Sequence, residues 1–443
     1  MLPLTALVDR QGHLLIGGCD AVDLAREFGT PLYVFDEEDL RQRCREFRRE
    51  FEGRHPSPQG RTVLYAAKAY FGPAMAALVA EEGLGLDVVS GGELAAARAA
   101  DFPLDHVYFH GNNKSARELR EAMGAGVGHI VVDNFHELAL LRDAAAQGAR
   151  QQAILLRVTP GVDPHTHAFI STGGVDSKFG LPLAGGAAEE ALVEALATPG
   201  LELVGLHCHI GSQITEVEPY RRAIGIVLDF AARMAERHGL VLQELSAGGG
   251  YPAQYVRGAP VPGVAEYAEA VVGALKEGWP GRELPRLTVE PGRAIVARAG
   301  VALYTVGATK EVPGVRKYVS VDGGMADNIR PALYDARYEV LIANRMDAPP
   351  QETVTIAGRY CESGDVLVRD AQVPHLWVGD IVALPASGAY CLAMASNYNW
   401  SPRPAVLFAR EGRARLVRRR ETYEDLLRLE VAPPRRGGRG RRK

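Results

Sequence analysis

No run of apolar residues in this chain reaches the ~20 that cross a membrane, and Met1 to Arg10 lacks both a basic start and a long apolar stretch. Neither export nor membrane anchoring is expected. Cysteine is scarce and scattered: Cys19, Cys44, Cys208, Cys361 and Cys391 show neither zinc-type spacing nor a disulfide framework. A disulfide scaffold is excluded, no metal is called for, and a reducing cytoplasm is the expected location. Surplus positive charge is missing as well. The formal net charge is −4, and Arg435, Arg436, Arg439, Arg441, Arg442 and Lys443 all lie in the last nine residues, so the body of the chain is more acidic still. That balance argues against nucleic acid as a partner. The stretch 433–443 has nothing apolar to bury and reads as a disordered basic tail.

The apolar content, 47% of 443 residues, is enough for a large core and two or three domains. One stretch organises the rest, Leu64-Tyr65-Ala66-Ala67-Lys68-Ala69, where a lysine follows an apolar run without a break. Partial desolvation makes such an amine easier to deprotonate, which suits attack on a carbonyl to form a Schiff base. A strand-end lysine whose stem packs while its ammonium reaches water is the plainer alternative.

The chain around it alternates. Strand-like runs at Thr62 to Ala69, Gly85 to Ser90, Val107 to Gly111, His129 to Asn134, Ala153 to Pro160, Leu203 to Gly211, Glu244 to Gly250 and Arg286 to Arg293 are separated by helical segments. Among these are Gly91 to Ala100, Ser115 to Ala125, Phe135 to Ala146 and Pro219 to His238. Eight βα units predict an α/β fold, a (β/α)8 TIM-like barrel over 36–300. After Gly300 β-rich runs take over at Val301 to Val306, Lys317 to Val321, Thr353 to Ala357 and Ile381 to Leu384. They predict a second, mostly β domain, sandwich- or barrel-like, built from 301–432 together with short N-terminal strands in 1–35, such as Leu14 to Ile16 and Pro31 to Phe35.

Barrel active sites gather at the C-terminal ends of the strands. Those ends carry Lys68; Asp87 and Ser90; His110, Asn112 and Asn113; Asp133 and Asn134; Arg157; His209 and Ser212; Gly248-Gly249-Gly250; and Glu290 with Arg293. A Schiff-base lysine and a glycine triplet on one rim suggest a phosphorylated aldehyde cofactor, pyridoxal 5'-phosphate. The glycines let backbone N–H groups approach phosphate, or else simply form a tight turn. Glu290 could pair with the cofactor's ring nitrogen and keep it protonated. His209 could lie against the ring, or be hydrogen-bonded within the barrel.

The motifs Tyr65-Ala66-Ala67-Lys68-Ala69, Gly85-Leu86-Asp87-Val88-Val89-Ser90-Gly91-Gly92-Glu93, His110-Gly111-Asn112-Asn113-Lys114-Ser115, His207-Cys208-His209-Ile210-Gly211-Ser212-Gln213 and Glu290-Pro291-Gly292-Arg293 resemble those of fold-type III PLP-dependent decarboxylases. Asn328-Ile329-Arg330-Pro331-Ala332-Leu333-Tyr334, Cys361-Glu362-Ser363-Gly364-Asp365 and Gly388-Ala389-Tyr390 narrow the resemblance to the diaminopimelate decarboxylases, over about Gly18 to Leu429. It implies that Lys68 holds the cofactor, that His209 stacks on its ring and that Glu290 pairs with the ring nitrogen. Gly248, Gly249, Gly250, Gly292 and Tyr390 would hold the phosphate end, with Asp87, Ser212 and Arg293 also among the cofactor contacts. Arg293, Arg330, Tyr334 and Tyr390 would bind the substrate, with Glu362 on its distal ammonium. Cys361 would be the proton donor, and it would reach the neighbouring subunit's site with Glu362, which implies a homodimer with shared active sites.

Taken singly, Arg330 could instead form a surface or interface ion pair and Cys361 could be a small buried hydrophobe. Paired guanidinium forks suit a planar carboxylate. The reaction the resemblance implies is loss of CO2 from meso-2,6-diaminopimelate to give L-lysine, the last step of lysine biosynthesis. The alternatives are a decarboxylase of the same fold acting on ornithine, arginine, a D-amino acid or carboxynorspermidine, an amino-acid racemase, or a non-catalytic PLP-binding homologue. Arg337-Tyr338-Glu339 and the basic tail depart from the family's pattern, and neither is expected to touch a named role.

Overall fold

The structure, a computed structural model, describes residues 1–56, 61–146, 151–163, 177–281 and 283–431. The basic tail lies outside them. Eight parallel strands, Leu64–Ala66, Gly85–Val88, Val107–Phe109, His129–Val132, Gln152–Thr159, Leu201–His207, Glu244–Ser246 and Arg286–Thr288, pair side by side in chain order. A bridge between Val63 and Val289 joins the last to the first and closes the barrel. The sheet is buried on both faces, so its strands read as continuous apolar runs rather than alternating ones.

Each expected strand is present, and most are shorter than the apolar run that announced them. Thr62 to Ala69 is ladder only over Leu64–Ala66, and a 3₁₀ turn, Ala67–Ala69, follows. Ala67 and Ala69 stay buried after leaving the ladder, so hydrophobicity alone does not mark where pairing stops. The helices begin where their caps sit. Ser90 and Asn134, two of the mouth residues, accept from the N–H groups of Glu93 and Glu137 and cap the helices Gly91–Ala99 and Phe135–Ala145. Ser115 does the same for Ala116–Ala125 in a reciprocal box with Glu118.

The second sheet is built on the long strand Gly300–Val312, which pairs antiparallel with Leu32–Asp36, Arg316–Val321 and Ile381–Leu384. Leu32–Asp36 also pairs parallel with Ala405–Arg410, so the N-terminal segment enters this domain as expected. Only part of that segment is strand, however. Ala21–Phe28 is a helix, capped by Asp20, whose carboxylate accepts from Val22 N–H; its buried Ala21, Leu24 and Ala25 form the stripe that packs inward. No helix among the described residues is long and apolar enough to cross a membrane.

One loop of the β domain is tied by backbone hydrogen bonds to the barrel mouth. Gly388 N–H donates to Ala297 O (3.0 Å) and Tyr390 N–H to Ala69 O (2.8 Å), next to Lys68. A side chain at Gly388 would meet Val296 O at 1.8 Å, so only glycine allows this approach.

Candidate active site

Lys68 is aimed by its turn rather than by a strand. Tyr65 Oη donates to Tyr70 O (2.6 Å) across the turn, and the Tyr390 contact pins its far side. The amine projects into a cavity of about 500 Å³ at the mouth and donates to Asp87 Oδ2 at 3.0 Å. The expectation of an easily deprotonated amine is reversed here. Burial alone lowers its pKa, but Asp87, Tyr390 and Glu290 outweigh burial and raise it above the ordinary lysine value. Asp87 is fully buried, so its charge acts with little screening.

Below the lysine lies a buried polar knot. Glu290 accepts from Ser246 Oγ (2.9 Å) and stands 3.2 Å from His207 Nε2 and 3.4 Å from His110 Nε2. Burial tends to raise the Glu290 pKa, and the neighbouring His207, His110 and Lys68 overcome it, holding the carboxyl well below its usual range. Burial pushes His110 down to about 4, so at neutral pH it is an uncharged imidazole beside a carboxylate. His209 is held well below the ordinary histidine value by burial, then by Lys68 and Arg157. Gly249 N–H donates to its Nδ1 (2.9 Å) and fixes the ring.

The glycine triplet is needed for close approach. Side chains at Gly248, Gly249 and Gly250 would meet Cys208 O, Glu290 O and Gly211 O at 2.5 Å or less. Of the three, Gly250 lines the cavity, while Gly249 spends its N–H on His209.

At the far side two buried arginines converge. Arg293 Nη1 donates to Tyr255 Oη (2.7 Å) and Nη2 to Ser212 Oγ (2.8 Å), and its guanidinium lies 4.7 Å over the Tyr390 ring. Tyr390 sits at φ +61°, a strained conformation for a non-glycine residue that its bond to Ala69 helps maintain. Arg330 lies 4.4 Å over Tyr255 and donates to Tyr338 Oη. The arginines are 7% and 6% exposed, and among the described residues neither is paired with a carboxylate. Arg330 is buried, against the surface ion pair considered for it. Tyr334 completes this wall.

Lys68, His209, Ser212, Gly250, Glu290, Gly292, Arg293, Arg330, Tyr334 and Tyr390 thus line one cavity, with Asp87 hydrogen-bonded to the lysine and Gly248 and Gly249 packed behind. Cys361 and Glu362 do not line it. Cys361 is exposed, against the buried-hydrophobe alternative, and its N–H donates to Asn399 Oδ1 (3.1 Å); Glu362 accepts from Tyr398 Oη at 2.5 Å. A second expectation needs correction. Tyr338, expected to touch no named role, is hydrogen-bonded to Arg330, because the chain turns back after the helix Arg330–Tyr334. His110, Arg157 and His207 also line the cavity; the sequence shows them as strand-end or motif residues without assigning them a role. Phe179 and Lys178 join them, and nothing in their sequence spacing announces it.

The residues fit pyridoxal 5'-phosphate. A lysine amine, an ionised buried carboxylate, a neutral imidazole and an arginine whose Nε has no hydrogen-bond partner among the described residues surround a cavity of the size that takes such a ligand. Residues 37–297 match the family described as "Pyridoxal-dependent decarboxylase, pyridoxal binding domain". Fold and cavity together define the class, a pyridoxal-dependent barrel decarboxylase with an appended β domain. The chain is 47% identical over 429 residues to the diaminopimelate decarboxylase of Bacillus subtilis (strain 168), covering 96% of this chain and 97% of that one. The crystal structure of diaminopimelate decarboxylase from M. jannaschii in co-complex with L-lysine superposes with a TM-score of 0.91 at 36% identity, covering 98% of this chain and 99% of that one. The Helicobacter pylori enzyme complexed with L-lysine gives 0.84 at 32%, over 92% and 98%. Within its class, then, this chain belongs to the diaminopimelate decarboxylase family.

Proposed function

We propose that the protein decarboxylates meso-2,6-diaminopimelate to L-lysine and CO2. The observation that carries this reading is the pair of buried guanidiniums, Arg293 and Arg330, facing the cavity that holds Lys68, with no carboxylate partner among the described residues. Buried cations without a counter-charge are costly unless a ligand supplies one, and a planar carboxylate matches the fork. L-lysine bound in two of the related structures supports the same assignment.

When bound, pyridoxal 5'-phosphate supplies the carbonyl that captures the substrate amine and a ring that takes up the electron pair left as CO2 departs. Lys68 would hold it covalently, with His209 at its face and Ser212, Gly250, Gly292 and Tyr390 at its phosphate end. Glu290, kept ionised by its histidine neighbours, would retain a proton on the ring nitrogen; a racemase calls for a basic group in that place. Arg293, Arg330 and Tyr334 would hold the distal carboxylate, which leaves the other carboxylate at the reacting carbon. L-lysine has only one carboxylate, so gripping it distally leaves none to lose.

Cys361 would return a proton to the carbon that loses CO2. We place Cys361 and Glu362 in the cavity of a second copy, in a homodimer. Their absence from this chain's own cavity lining and the exposure of Cys361 support that arrangement. Five unpaired cysteines support a reducing, cytoplasmic setting.

The substrate reading is tested by rates of the cofactor-loaded protein on meso-diaminopimelate and on ornithine. A site built for a distal carboxylate should favour the former in kcat/KM by about 10³-fold or more. Equal rates would favour the diamine-precursor alternative.

A further inference from the structure

The two arginines have partners that no assigned role covers. Tyr255 touches both: its hydroxyl accepts from Arg293 Nη1 (2.7 Å), and its ring lies 4.4 Å beneath the Arg330 guanidinium. Tyr338 stands edge-on to Tyr255, centroids 5.7 Å apart and planes at 83°, and its hydroxyl accepts from Arg330 Nη1. The Tyr338 hydroxyl also lies 3.5 Å from Cys391 Sγ, which in turn is 3.4 Å from Asn328 Oδ1. Tyr338 and Cys391 are both buried, so this chain of contacts ties Arg330 to the interior of the β domain rather than to solvent.

We infer that Tyr338, acting with Tyr255, is the positioning residue that aims Arg330 at the substrate's distal carboxylate and so sets the specificity of the site. The inference rests on the substrate reading above. Arg330 is long and carries no ion pair among the described residues; without a fixed partner its head could turn among several rotamers in a cavity of about 500 Å³. The Tyr338 hydroxyl occupies one end of the guanidinium, and the Tyr255 ring fixes the plane of the fork. The remaining N–H groups are then ordered before the carboxylate arrives. Preorganised charge of this kind lowers the ordering cost of binding and discriminates against ligands that leave it unpaired. A tyrosine suits the task better than a carboxylate, which would bind Arg330 as tightly but neutralise the charge the substrate needs.

The test is Tyr338→Phe in the cofactor-loaded protein, a change that keeps the ring and its packing and removes only the hydroxyl. KM for meso-diaminopimelate should rise by about ten- to a hundred-fold, the size of one lost charge-assisted hydrogen bond, with the effect falling on KM more than on kcat. Calorimetric affinity for L-lysine, whose carboxylate stands in for the distal one, should weaken by a similar factor. The melting temperature and the cofactor's absorbance should match wild type, which separates positioning from misfolding. Tyr255→Phe, which frees Arg293 Nη1, should act in the same direction. Wild-type KM and lysine affinity in Tyr338→Phe, or a fall confined to kcat, would overturn the inference and leave the substrate reading standing. A wild-type protein that neither turns over meso-diaminopimelate nor binds L-lysine would remove both.

Discussion

Replacing Lys68 by alanine should reduce turnover by about 10³-fold or more and abolish covalent attachment of the cofactor, seen as loss of its imine absorbance. The expectation follows from geometry. Lys68 is the lysine amine at the lip of the Glu290 knot, and Asp87 and the Tyr390 loop hold it there. Lys68→Arg separates chemistry from electrostatics. Arginine can still pair with buried Asp87, so the stability of that corner should be preserved, yet it cannot form the imine. Both variants should be inactive, and Lys68→Ala should be the less stable in thermal melts because Asp87 loses its partner. Substantial turnover in either variant would remove the lysine from its central role.

Cys361→Ala should leave the cofactor absorbance of the loaded protein unchanged and lower kcat by about 10²- to 10⁴-fold, the range for a lost general acid. The same variant tests whether the site is shared. Mixed with Lys68→Ala under conditions that let subunits exchange, it should recover about a quarter of wild-type activity, because half of randomly paired dimers are hybrids and each hybrid has one intact site. The exposure of Cys361 and its absence from the lining of its own chain's cavity motivate the experiment. A mixture no more active than its components would put Cys361 in the cavity of its own chain or outside the mechanism.

The parts of this architecture legible in the sequence are those with local causes. Buried parallel strands leave apolar runs, and residues at their ends declare themselves by polarity, which is enough to place Lys68, His209, Glu290 and Arg293 on one rim. The glycine triplet is legible as a close approach, but the partners in that approach, the carbonyls of Cys208, Gly211 and Glu290, are not. Long-range contacts leave no local signal. Tyr255 lies 38 residues from the Arg293 it binds, and Tyr338, only eight residues from Arg330, meets it because the helix Arg330–Tyr334 ends at Asp335 in a left-handed conformation that turns the chain back. The helix Ala21–Phe28 has its signal, an aspartate cap before apolar residues at helical spacing, hidden behind the strand-like start of the chain. The charge of Lys68 is not legible either. Desolvation and Asp87 act on it in opposite directions, and only their distances decide the balance.

The most direct test of the central claim is to measure what the cofactor-loaded protein makes from meso-diaminopimelate. The account predicts CO2 and L-lysine in equal amounts. Stereoisomers of diaminopimelate without CO2, or no product at all, would contradict it.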